Sequence, residues 1–289
     1  MLYDSVIYGP YFTVDTLTIN GSTDANGCDW ILTSEKGWFG KPAIKTNRMD
    51  KPASRGAIIG SEHPAARVVT LAGRMSAPDA PTMRNAEDQL LGICADSSTL
   101  YPITCTDERG LTLTALCKLD GEILFTPVAA STADFSIQLV CPDPRKFAQN
   151  PTVVTAGLQA ATVGGVTYPV GYPVNYGTPG ISGSLTLPNA GTAEADIIFT
   201  IQGPVTNPML ADPRTGNTVT YMSALAANDQ LVINTQTGRV LLNGVDRRSL
   251  LAVTKWPRIS KNDTLQLVFS SSNGSDTGVV TASYYSTYY

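Results

Sequence analysis

The chain has 289 residues, a formal net charge of -4 and only 15% charged side chains, against roughly 25% in an ordinary soluble domain. Its length exceeds what one hydrophobic core usually supports, so two cores are expected. Its pI near 5.0 excludes nucleic-acid binding through bulk charge, because phosphate neutralisation needs a basic surface.

The opening stretch MLYDSVIYGPY has no basic leader followed by an apolar core. No uninterrupted apolar run approaches the roughly 18 residues of a membrane span. Neither a secretory signal nor a membrane segment is expected, and the product is expected to be made in the cytoplasm. Between residues 36 and 55, Lys36, Lys41, Lys45, Arg48, Lys51 and Arg55 face only Asp50. Such a run on an acidic chain is either a solvated loop or a patch that docks an acidic neighbour, with Trp38 and Phe39 as candidate anchors. In APTMRNAEDQLLGI, Met83, Ala86, Leu90 and Ile93 recur at helical spacing and Pro81 suits a first turn, which predicts a helix over residues 81–93.

Strands follow. Leu111, Leu113, Ala115 and Cys117 alternate with Thr112 and Thr114, and Phe135, Ile137, Leu139 and Cys141 alternate with Ser136 and Gln138. Period two with one polar face means half-buried strands. The second run stops at Pro142 and Pro144, which supply no N–H to a ladder and hold their neighbours extended. A first domain over residues 1–147 is therefore expected, then a Gly-, Pro- and Tyr-rich connector over 148–183, then a second domain over 184–289. In the last, Ile197, Phe199 and Ile201, and later Leu265, Leu267 and Phe269, repeat the alternation. Asn243-Gly244 suits a tight hairpin, since both residues tolerate positive φ.

No catalytic, cofactor or metal site is expected. Cys28, Cys94, Cys105, Cys117 and Cys141 are odd in number and lack a C-x-x-C pair, so buried reduced thiols fit better than a disulfide framework or a zinc site. The single histidine, His63, precedes a proline and reads as a solvated loop residue rather than a general base. Glu87 and Asp88 on the helix, and Asp107 and Glu108 in a hairpin turn, read as solvated faces rather than acid–base pairs. No phosphate loop of the G-x-x-x-x-G-K-[ST] kind is present. The sequons at Asn20, Asn262 and Asn273 read as turns.

The order of GCDWILTSEKGWFGKP, ARVVTLAGRM with a helix after it, and a strand ending CPDPRKF resembles the distal tail protein family of long-tailed siphophages. LPNAGTAEADIIFTIQGPVTNP, LVINTQTGRVLLNGVDRRSLL, KWPRIS and the aromatic C-terminus continue that order, so the resemblance covers nearly the whole chain. Lys261 and Asn262 stand where the family often has a glycine. The resemblance implies a mainly β protein of two β-sandwich domains, the first tail-tube-like with one helix and the second galectin-like. It implies a structural role at the virion tail tip: a ring, of six copies in that family, that joins the tail tube protein to the tail-tip hub and receptor-binding proteins. DNA would pass through without specific binding.

Two other classes fit less of the chain. A carbohydrate-binding module for host-surface adhesion would use the tyrosines of TYPVGYPVNY and SYYSTYY as stacking platforms. A glycan hydrolase would need a carboxylate pair in a cleft, and the sequence singles none out.

Overall fold

The computed structural model describes residues 9–52, 54–158 and 183–289. The chain divides into two compact units, one ending at Gln149 and one spanning Asn150–Tyr288. Both are mainly β.

In the first unit the elements are β1 (Tyr11–Val14), β2 (Leu17–Ile19), β3 (Asp29–Lys36), β4 (Ile44–Lys45), β5 (Arg48–Asp50), β6 (Ala57–Ile59), β7 (His63–Pro64), β8 (Arg67–Ser76), α1 (Ala80–Leu91), β9 (Tyr101–Thr106), β10 (Thr112–Leu119), β11 (Leu124–Ala129), β12 (Thr132–Cys141) and β13 (Lys146–Ala148). The main sheet runs β2-β1-β9-β10-β12-β8-β3, with β11 on β12 and β13 on β10. β10 meets β12 only at Lys118↔Val140 and Leu119↔Leu139, so the sheet has two halves joined at one corner. Alternate residues of β8, β12 and β9 are buried, among them Val69, Leu71 and Met75 on β8, Ile137 and Leu139 on β12, and Ile103 and Cys105 on β9. The alternate face across β2, β1, β9 and β10 carries a row of threonines in register, Thr18↔Thr13↔Thr104↔Thr114. All five cysteines are buried and free.

The helix begins one residue before the expected Pro81 and ends two before Ile93. Asp79 caps it, its carboxylate accepting from the Thr82 N–H at 2.8 Å. Ile93 is buried just past Gly92, which closes the last turn. β12 stops at Cys141 as the two prolines require, but the chain returns to the sheet as β13.

The second unit contains β14 (Thr152–Gly157), β15 (Ser184–Asn189), β16 (Ile197–Gln202), β17 (Val205–Thr206), β18 (Met209–Ala211), β19 (Thr218–Tyr221), β20 (Ala224–Leu225), β21 (Gln230–Asn234), β22 (Val240–Leu242), β23 (Val245–Asp246), a single 3-10 turn (Arg248–Leu250), β24 (Leu251–Val253), β25 (Asp263–Ser270) and β26 (Val279–Tyr284). One sheet runs β14-β26-β16-β21-β22-β23 and the other β15-β25-β18-β19-β24. Leu185, Leu187, Phe199, Ile201, Leu267 and Phe269 are among the residues of a single apolar core drawn from both sheets. The stretch expected as a connector over 148–183 therefore begins inside structure. Ala148 ends β13, and all six residues of β14 pair with β26; residues 159–182 lie outside the described residues. Asn243 and Gly244 turn the β22–β23 hairpin with φ of 49° and 84°. Asn262, where the family often has glycine, takes the same left-handed region at φ 48°.

Candidate interaction surface

Residues 41–52 and 54–66 leave the body of the first unit as a narrow ribbon. β4 pairs only with β7 and β5 only with β6, each pair forming its own two-stranded sheet. Between them the Gly60 N–H donates to the Asn47 carbonyl at 2.8 Å and the Ala65 N–H to the Ala43 carbonyl at 2.7 Å. Among the described residues no core packs behind the ribbon: Ile44, Met49, Ile58 and Ile59 are all exposed, Met49 and Ile59 by more than 60%. Met49 stands opposite Ile58, and Ile59 opposite Arg48, so apolar side chains occupy both faces. A two-stranded hairpin has little stability by itself in water. Large apolar side chains exposed together on one small element make it a candidate interaction surface.

The root of the ribbon is built differently. Arg67, the first residue of β8, is 1% exposed. Its Nη1 donates to the carbonyls of Gly37, of Trp38 at 3.0 Å and of Gly40 at 2.8 Å, and its Nε to the Pro144 carbonyl at 2.9 Å. Lys146 is 4% exposed, and its Nζ donates to the Trp38 carbonyl at 2.9 Å while lying 5.4 Å from the Trp38 ring centroid. Two buried cations thus collect the carbonyls of the turn where the ribbon departs. Burial, with the Arg67 charge adding to it, lowers the Lys146 pKa to about 8. Gly37 sits in this turn at φ 95°, and a Cβ there would lie 1.9 Å from the Val68 carbonyl oxygen.

Of the eight residues singled out in the sequence, Lys36, Phe39, Lys41, Lys45, Arg48, Lys51 and Arg55 are exposed on or beside this ribbon. Trp38 is not. It is 1% exposed, edge-on to Phe12 with ring centroids 5.7 Å apart, and its backbone carbonyl is held by the two cations, so it serves the core and cannot anchor a partner. Phe39 remains 52% exposed. The tyrosines weighed for stacking fare differently: TYPVGYPVNY lies outside the described residues, Tyr284 is 2% exposed and donates its hydroxyl to the Pro188 carbonyl at 2.7 Å, and Tyr285 is exposed. Among the described residues no group of three or more His, Cys, Asp or Glu side chains is placed to hold a metal ion, and no helix is long and apolar enough to cross a membrane.

Residues 190–288, most of the second unit, match the family described as "Siphovirus-type tail component, C-terminal domain". The chain resembles siphophage distal tail proteins. The fold agrees: the crystal structure of the SPP1 Dit protein, described as a paradigm of the hub adsorption apparatus in phages infecting Gram-positive hosts, superposes with a TM-score of 0.67 at 13% identity, covering 97% of this chain and 99% of that one. Two structures of the phage p2 baseplate in its activated conformation, with Sr and with Ca, give TM-scores of 0.46 and 0.43 at 10% identity, each covering 94% of this chain and 97% of that one. No curated protein matches the chain in sequence.

Proposed function

We propose that this chain is a structural component of a siphophage tail tip. In this reading copies of the chain close head-to-tail into a ring that joins the tail tube to the hub and receptor-binding proteins and lets DNA pass. The observation that carries it is the tail-component family match over residues 190–288, set in a chain that shares its fold with SPP1 Dit along almost its full length. The ribbon gives the assembly a contact element. It brings Lys41, Lys45, Arg48, Lys51 and Arg55 against Asp50 and Glu62, on a chain that is acidic as a whole, so an acidic surface of a neighbouring tail protein is its natural counterpart. Burying each large apolar side chain on it contributes about 1.5–3 kcal/mol at full coverage. The threonine row across β2, β1, β9 and β10 is an uncharged surface of the kind a DNA passage requires, because each Lys or Arg on such a wall would neutralise a phosphate and hold the strand.

A cryo-electron-microscopy map of the assembled tail tip tests the reading. The expected result is a closed ring of this chain with a neutral to acidic lumen; a basic lumen, or a peripheral position with no ring, would refute it. Reversing Lys45, Arg48 and Lys51 to Glu tests the ribbon separately: tails fail to assemble while the purified chain stays folded. Normal tails from that variant would remove the ribbon from the interface.

A further inference from the structure

The second unit holds a cleft of about 390 Å³, within the range of small-molecule sites. Its floor is apolar, made by Leu210, Val219, Leu265 and Leu267, all buried core residues of β18, β19 and β25. Its walls come from three separate stretches: Glu194, the β18–β19 turn over residues 212–217, and the 254–262 connection that carries Lys255, Trp256 and Arg258. Trp256 is half-buried and packs on the core. The Arg248 guanidinium lies over its ring, 5.1 Å from the centroid, a cation–π contact that helps hold the indole in place.

The turn is equally fixed. The Asp212 carboxylate accepts from the Arg214 N–H at 2.8 Å and from the Thr215 hydroxyl at 2.7 Å, and Asn217 Nδ2 donates to Thr215 Oγ1 at 2.8 Å. Arg258 is held by Asp196 at 3.2 Å. Lys255 has no carboxylate partner among the described residues.

The chemistry of the rim narrows the ligand. A simple anion would meet Glu194 and Asp212, a simple cation would meet Arg214, Lys255 and Arg258, and a purely apolar molecule would strip water from all of them without replacing its hydrogen bonds. What suits an aromatic wall beside a rim of donors and acceptors of both signs is a molecule with one C–H face and many hydroxyls that donate and accept. The geometry points to a saccharide site in this cleft, with the pyranose C–H face on Trp256 and the hydroxyls shared between Asn217, Lys255 and the two arginines. This adds a ligand to the assembly role and does not depend on it. The sequence placed stacking aromatics in the tyrosine clusters, whereas the cleft uses KWPRIS.

Tryptophan fluorescence of the full chain provides the test, because Trp30 and Trp38 are buried in the first unit and Trp256 is the remaining tryptophan. Glucose, galactose and N-acetylglucosamine are titrated separately, with glycerol as a polyol lacking the ring. At least one pyranose is expected to give a saturable change that glycerol does not. Asn217→Ala and Lys255→Ala should each weaken that binding by about tenfold or more, and Trp256→Phe should abolish the signal. No saturable change with any of the three sugars, an equal response to glycerol, undiminished binding by both alanine variants, or a signal that survives Trp256→Phe would each overturn the assignment.

Discussion

Lys146 makes the ribbon's root a pH-dependent element. Its pKa falls from 10.5 in the unfolded chain to about 8 in the fold, so between those values the unfolded state binds more protons and stability rises with pH. Below about pH 8 both states are protonated and the cost of burying the charge is carried in full. From about pH 7 to about pH 9.5 the linkage amounts to about 2 kcal/mol in favour of the folded state. The total profile will not show this alone, because burial raises the thiols of Cys105 to about 12 and Cys141 to about 11, and raises Cys117 as well. Their unfolded counterparts ionise near 9.0, so they oppose it with a loss of stability as pH rises past that value. A difference measurement removes them: urea unfolding of the native chain and of Lys146→Met at both pH values. The variant lacks the lysine titration, and Cys105, whose thiol Lys146 draws down, stays protonated in the fold up to about pH 9.5 in both proteins, so the variant's stability should change less favourably with pH than the native chain's by about 2 kcal/mol. Parallel profiles for the two proteins would show that Lys146 titrates as in the unfolded chain and would refute its burial at the ribbon's root.

Other outcomes follow from single contacts. Gly37→Ala places a Cβ against the Val68 carbonyl oxygen at positive φ and should cost about 3 kcal/mol or more, whereas Gly40→Ala, with nothing within 4 Å of the new atom, should change urea stability by no more than about 0.5 kcal/mol. Asn189 is 2% exposed, donates to the Ala193 and Ser260 carbonyls and accepts from the Gly191 and Thr287 N–H groups; Asn189→Ala should cost about 3 kcal/mol or more, and Tyr284→Phe, which loses the hydroxyl's bond to the Pro188 carbonyl, about 1 kcal/mol. The double change Met49→Ser, Ile59→Ser should leave the melting temperature of the isolated chain nearly unchanged, since both side chains already face solvent, and should prevent incorporation into tails.

Where one face of a strand is buried and the other wet, period two was readable, and β10, β12, β16 and β25 were legible for that reason. The helix was legible from its spacing; its start lies one residue earlier because Asp79 caps it, and its end two residues earlier because Gly92 closes the last turn. The ribbon was not legible as strands, because with both faces exposed nothing selects alternation: Ile58 and Ile59 stand side by side. The basic character of the segment was visible, but the burial of Trp38 was hidden by its local context between Gly37 and Phe39. What buries it lies far away in sequence, Arg67 at a separation of 29 residues and Lys146 at 108. The cleft around Trp256 has the same origin, since residues 194, 212–217 and 255–260 meet only through the sheet pairing. That pattern also explains why the buried cations sit at the ribbon's root and not along it. A ribbon without a core cannot orient itself, and each residue left free would cost conformational entropy when it docks. Fixing the departing turn through the Gly37, Trp38 and Gly40 carbonyls sets the ribbon's direction during folding, would lower that cost if a partner binds, and leaves the ribbon's apolar and basic side chains exposed.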